Sequence, residues 1–219
     1  MKQHLLRSIG IGAAVAAFGA VPAQAVAQDA TSTTATSGTA ATSVDTSSCA
    51  NPLLTQPFLA WGDTNWYALA PGETADAFGG AGWTLTGGAK IATTTLKDGT
   101  TGSVLDLPRG STAVSPKVCL TSAYPTARMM IRDVSDSNGG SVGFSVSYAG
   151  TSTANSPLQT GSFKTTGSAG IAGNWFLSAP AALDPSTSPG WQVMQITLTA
   201  NGSKEFQAYN LYLDPMMRD

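Results

Sequence analysis

The sequence predicts an all-β protein, a two-sheet antiparallel β-sandwich, with a jelly roll as the first topology and an immunoglobulin-like one as the second. Three observations predict it. Large apolar and small polar residues alternate in several stretches, most cleanly in Val142-Gly143-Phe144-Ser145-Val146-Ser147-Tyr148, which is the period of a strand with one buried face. Turn-forming pairs such as Pro71-Gly72, Gly87-Gly88 and Pro189-Gly190 stand between these stretches at short intervals. No stretch keeps apolar residues at helical spacing over three turns.

Residues 1–27 read as a secretory signal peptide. Lys2 and Arg7 make a positive start, residues 9–21 are apolar, and Ala23-Gln24-Ala25 and Ala25-Val26-Ala27 are small-x-small cleavage patterns. The apolar run is shorter than the ~20 residues of a membrane span, and Pro22 interrupts its end. The mature chain is therefore expected to be secreted, extracellular and not membrane-embedded. Residues 28–48 are nearly all Thr, Ser, Ala and Gly. With so little to bury they read as a disordered linker. Residues 49–219 remain as the β-sandwich domain, a length that suits one core.

Within the domain, strands are expected at 57–61, 66–69, 83–85, 90–96, 103–107, 115–120, 127–134, 142–148, 174–178, 191–200 and 206–213. The stretch at 191–200 puts Met194, Ile196 and Leu198 on one face, and that at 206–213 puts Tyr209, Leu211 and Leu213 together. Asp98-Gly99 and Asn201-Gly202 suit two-residue hairpins, because type I′ turns need positive φ at both central residues.

Cys49 and Cys119 are the only cysteines. An oxidising export route favours their pairing, and a loop of this length makes the bond worth about 4 kcal/mol in the chain-entropy model. The chain's single histidine, His4, lies in the signal. Without it, a Ser-His-Asp or Cys-His triad and a His-ligated zinc are excluded from the mature chain. Nucleic acid is excluded on charge: without Lys2 and Arg7, nine scattered basic residues face thirteen acidic ones, and phosphate binding needs clustered cations.

The five tryptophans raise the question of stacking on sugar rings. Trp83, ahead of Thr84-Leu85-Thr86, has the setting of a core residue, whereas Trp66 and Trp175 each follow Asn and Trp191 follows Pro-Gly. Those three at loop edges are the ligand candidates. Arg128 and Arg132 lie four apart on one expected strand and so share a face. Two guanidinium forks there could clamp a carboxylate or an anionic sugar; the bland alternatives are the wet face of a strand, or a pair tied to nearby Asp133 or Asp106. Glycoside hydrolysis needs only paired carboxylates, but no pair is legible from spacing, and Glu73 and Glu205 sit where burial is not expected. No catalytic residue is assigned. Asp63 and Asp214 are weak candidates for a structural Ca²⁺, which wants several oxygen ligands.

Residues 57–63 (Pro-Phe-Leu-Ala-Trp-Gly-Asp), 67–72 (Tyr-Ala-Leu-Ala-Pro-Gly), 82–89 (Gly-Trp-Thr-Leu-Thr-Gly-Gly-Ala), Leu107-Pro108 and 115–119 (Ser-Pro-Lys-Val-Cys) resemble a group of uncharacterised secreted bacterial proteins. Residues 209–215 (Tyr-Asn-Leu-Tyr-Leu-Asp-Pro) are similar to the last strand of jelly-roll carbohydrate-binding modules and galactose-binding-like domains. The resemblance implies a fold, and carbohydrate binding by analogy alone. The expected function is a secreted, non-catalytic β-sandwich binding an extracellular ligand, carbohydrate first. The alternatives are a structural or adhesive surface protein with a protein partner, and third a carboxylate-dependent hydrolase or lyase.

Overall fold

A computed structural model describes residues 43–135, 141–150, 159–164, 173–201 and 204–214, all within one compact unit, Ala40–Asp219. The signal peptide and residues 28–42 of the linker lie outside the described residues, as do Gly202 and Ser203 of the second expected hairpin. Fourteen strands form among those described: β1 (Leu54–Thr55), β2 (Tyr67–Leu69), β3 (Thr84–Thr86), β4 (Lys90–Thr95), β5 (Thr101–Leu107), β6 (Thr112–Val114), β7 (Val118–Leu120), β8 (Thr126–Asp133), β9 (Ser141–Tyr148), β10 (Gln159–Lys164), β11 (Phe176–Leu177), β12 (Ala181–Ala182), β13 (Gln192–Ala200) and β14 (Phe206–Asp214).

They make two antiparallel sheets, a sandwich of the jelly-roll kind. In the first, β14 is central: β8 runs along one edge, while β5 and β2 share the other and lead on to β4 and β1. β11 and β12 flank β8 on its far side. The second sheet runs β10-β9-β13-β6-β3, with β7 also paired to β13. The core lies between the sheets. Met194, Ile196 and Leu198 of β13 and Val142, Phe144 and Val146 of β9 are buried there, as the alternation of their segments dictates. Leu105, Leu107, Met129, Ile131 and Phe206 of the other sheet are buried as well.

Four local expectations are corrected. Residues 57–61 do not form a strand: Leu59–Trp61 is a 3₁₀ turn that ends on Gly62, whose φ of 77° is open to glycine at no steric cost. The strand expected at 115–120 is split, because Pro116 has no N–H to give a ladder. Ser115 bridges the gap, its N–H donating to Ile196 O at 2.8 Å and its hydroxyl accepting Ile196 N–H at 2.9 Å. The turn at Asp98-Gly99 is a three-residue loop, not a two-residue one: Leu96 N–H donates to Thr100 O at 2.8 Å, and Gly99 carries the positive φ, 85°. The alternation of 206–213 breaks at Asn210, where φ is 54° and the register with β8 shifts between Tyr209 and Tyr212. That bulge is held from outside the strand, since Asn210 accepts Asp76 N–H at 2.9 Å and donates to Asp76 Oδ1 at 3.3 Å.

Cys49 and Cys119 are joined. The bond links the segment ahead of β1 to β7, and so ties the approach to the first sheet onto the second.

Candidate functional site: a pinned tryptophan loop

The segment between β1 and β2 carries the most exposed aromatic surface among the described residues. Trp61 is 39% exposed and Trp66 42%. Leaving two indoles in water forgoes the burial that usually stabilises such residues. The segment is nevertheless held firmly. Phe58 is fully buried and meets Tyr67 and Tyr212 edge-on, with ring centroids 5.0 and 5.4 Å away. Trp61 packs its own edge on Phe58 at 6.1 Å. Beyond the 3₁₀ turn, Asp63 Oδ1 accepts Asn65 N–H at 3.0 Å, and Gln56 donates to Thr64 O at 2.6 Å.

Asp63 is the anchor of this loop. Its Oδ2 takes a hydrogen bond from Tyr67 OH at 2.6 Å and an ion pair from Arg128, whose Nε donates to Ser178 O at 3.0 Å. Both charged side chains are largely buried, 18% and 11% exposed. Burial first, and then the bond to Asp63, push the Tyr67 hydroxyl up to about 12, so it stays a donor at neutral pH. Arg128 is therefore committed inside the protein. So is Arg132. It donates to Gln207 Oε1 at 2.9 Å from Nε, donates to Thr94 Oγ1, and lies over the Trp175 ring. The two guanidiniums do share the outer face of β8, but each is engaged by its own partners.

The three tryptophans singled out by sequence do not come together. Trp66 lies on the pinned loop. Trp175 is 6% exposed, with its indole N–H on Thr95 O at 2.9 Å and its ring edge-on to Tyr209. Trp191 is half-buried immediately ahead of β13, a strand of the other sheet. Trp61 completes the aromatic surface instead. The Trp-Gly-Asp-Thr-Asn-Trp run of 61–66 was the available signal; it is obscured if 57–61 is read as a strand.

Asp63 and Asp214 share a neighbourhood. Burial raises the Asp214 carboxyl, and the charge of Asp63 adds to that rise, while a bond from Thr126 at 3.0 Å and the charge of Arg128 oppose it. No group of three His, Cys, Asp or Glu able to hold a metal occurs among the described residues. Glu205 lies against Asp106: its carboxyl is raised by burial, then by the charge of Asp106 and a hydrogen bond to it. Glu73 overturns its expectation outright. Both its oxygens are buried without a partner, and burial raises its carboxyl well above the usual range.

No family model matches the sequence, and no curated protein does. Solved structures of similar architecture include the CBM22-1 xylan-binding domain of Paenibacillus barcinonensis Xyn10C, at a TM-score of 0.40 and 12% identity over 63% of this chain and 88% of that one. CsCBM6-3 of Clostridium stercorarium, solved with cellobiose, aligns at 0.38 and 15% identity over 60% and 86%. TmCBM61, solved with beta-1,4-galactotriose, aligns at 0.37 and 13% over 76% and 99%. The chain spans about a quarter of two larger enzymes it also matches: 24% of the MgGH51 α-L-arabinofuranosidase and 26% of the CBM22-1–GH10 portion of Clostridium thermocellum xylanase 10B. At these scores the ligand has to be read from the side chains.

Proposed function

We propose that this protein is an exported, non-catalytic β-sandwich that holds carbohydrate on the loop bearing Trp61 and Trp66. The observation that carries the reading is two exposed indoles, five positions apart in sequence, on a loop fixed by a largely buried ion pair. An indole face matches the C–H face of a pyranose ring, and a rigid aromatic binds at little entropic cost. Thr64 and Asn65 between the rings supply donors and acceptors for hydroxyls. The carboxylates support a non-catalytic role. Asp106 and Glu205 are in hydrogen-bond contact, closer than the roughly 5–9.5 Å that glycoside cleavage requires. Asp63 and Asp133 are held in ion pairs with Arg128 and Lys204. Export is supported by the signal-like residues 1–27 and by the disulfide, which suits an oxidising compartment.

The adhesive reading, with a protein partner, draws on one observation. Leu59, at 53% exposure, stands in the same segment as the two tryptophans, and Leu53, at 85%, just ahead of β1; exposed apolar groups together mark protein interfaces as well. A glycan array with the mature domain separates the readings. Binding that falls at least about tenfold in Trp61→Ala and Trp66→Ala, with the melting temperature held within a few degrees, supports carbohydrate. A wild-type domain that binds no glycan overturns it.

A further inference from the structure

The guanidiniums expected to recognise acidic sugars are committed elsewhere, yet an uncommitted cation does stand over a cleft. Lys117 lines a cleft of about 410 Å³ whose walls come from both sheets and from the disulfide-bonded segment. Leu69 of β2 and Leu213 of β14 contribute from one sheet and Val118 of β7 from the other, with Asn51 on the segment that Cys49 ties down. Tyr124, packed against the core by part of its ring, closes the lining. This is the usual make-up of a small-ligand site: an apolar lining with a few convergent polar groups, in the size range of about 300–1,000 Å³.

The polar groups are available. Lys90, Arg128 and Lys204 are in ion pairs, and Arg132 is engaged by Gln207, but Lys117 joins no salt bridge among the described residues. Its charge reaches Asp45 only weakly, as the smallest influence on a carboxylate that is exposed and already bonded by Ser47. No acidic residue lines the cleft. Burial raises the Tyr124 hydroxyl, which keeps it an O–H donor. Lys117 also lines a second hollow of about 150 Å³, together with Ser147, Met194 and Gln195. Lys117 thus borders both depressions. A single small anion would need one of them; a polymer with an anionic group at each repeat uses both.

We propose that the disulfide-walled cleft is a second binding site, which takes a sugar residue bearing a carboxylate, a uronic acid within a polysaccharide, with Lys117 meeting the carboxylate and Tyr124 the ring. The site deepens the carbohydrate reading by naming an acidic class of ligand, and it does not use Trp61 or Trp66. The disulfide holds one wall in place before the ligand arrives, so little ordering is left to binding. Lys117 is exposed, so one ion pair there gives discrimination of a few-fold that weakens with salt.

The test compares polygalacturonate with its methyl ester, the same backbone without the charge, by affinity electrophoresis of the mature protein. The variants are Lys117→Gln, Lys117→Arg and Tyr124→Leu, with Trp61→Ala/Trp66→Ala alongside, all checked for an unchanged melting temperature. The expected result is wild-type binding a few-fold tighter to polygalacturonate than to the ester, a preference lost in Lys117→Gln and retained in Lys117→Arg, with binding weakened on both polymers in Tyr124→Leu. Lys117→Gln binding polygalacturonate like wild type overturns the site, as does equal wild-type binding to acid and ester. Failure of the tryptophan-loop reading has a different signature, a double tryptophan variant that binds every glycan like wild type.

Discussion

The guanidinium of Arg132 lies 4.6 Å from the centre of the Trp175 ring, and the edge of that same ring meets Tyr209 at 4.8 Å. One indole, on the residue just ahead of β11, thus joins β8 to β14 on the outer face of the first sheet. A cation over an aromatic face, sheltered from water, is worth roughly 1–2 kcal/mol beyond the area buried.

Trp175→Ala should accordingly cost stability and spare ligand affinity. The expected loss is about 3–5 kcal/mol, the usual range for deleting a buried tryptophan side chain. Urea unfolding monitored by circular dichroism gives the first number. Retardation on any polysaccharide that wild type binds gives the second, and it should be unchanged for the folded fraction.

Arg128→Met should destabilise the protein by about 3–5 kcal/mol, because Asp63 is left charged and largely buried with only the Tyr67 hydroxyl on that oxygen. Adding Asp63→Asn should return most of the loss, so the two changes will be strongly non-additive. A double-mutant cycle from denaturant unfolding measures the coupling. Additive losses would mean that the pair is only solvated surface.

Glu73 predicts an unusual pH profile. Its folded carboxyl titrates well above the ordinary 4.5, for reason of burial. The folded state therefore holds a proton that the unfolded chain releases, and this contribution is fully present below about pH 4.5. It is lost progressively as pH rises toward the folded value, and no further above it. Glu73→Gln should flatten this part of the curve, leaving stability alike at pH 4 and raising it relative to wild type at pH 8. Melting temperatures of both proteins from pH 4 to 9 provide the check.

Reduction of the Cys49–Cys119 bond, or Cys119→Ser, should lower stability by about 4 kcal/mol, as expected for closing a loop of 70 residues. Intact mass with and without reductant establishes the bond, and denaturant midpoints measure its worth.

The long strands were legible because both of their faces follow simple rules. β9 and β13 put small or polar residues opposite large apolar ones, and they, like β8, formed within a residue or two of their expected spans. What failed were features decided by contacts far away in sequence. Asn210 turns β14 aside because Asp76 exchanges two hydrogen bonds with it, and nothing near Asn210 in sequence says so. Glu73 follows a Pro-Gly pair that reads as an exposed turn, yet its carboxyl is buried by tertiary packing. Trp175 looked like a loop-edge residue from its Asn neighbour; its partners, Thr95, Arg132 and Tyr209, are all at least 34 positions away. The tryptophan loop was half legible. Exposure at Trp66 was expected, but Trp61 was assigned to a strand, since the 3₁₀ turn that presents it depends on where Phe58 is buried.

The place of β14 sets an order of events for biogenesis. Residues 206–214 are the last described to leave the ribosome, yet they form the spine against which β8, β5 and β2 assemble. Until that stretch is available, the first sheet has no middle, and its would-be neighbours lack the partner that closes their ladders. Until then β8, β5 and β2 present unpaired ladder edges and apolar faces, the surface that chaperones recognise.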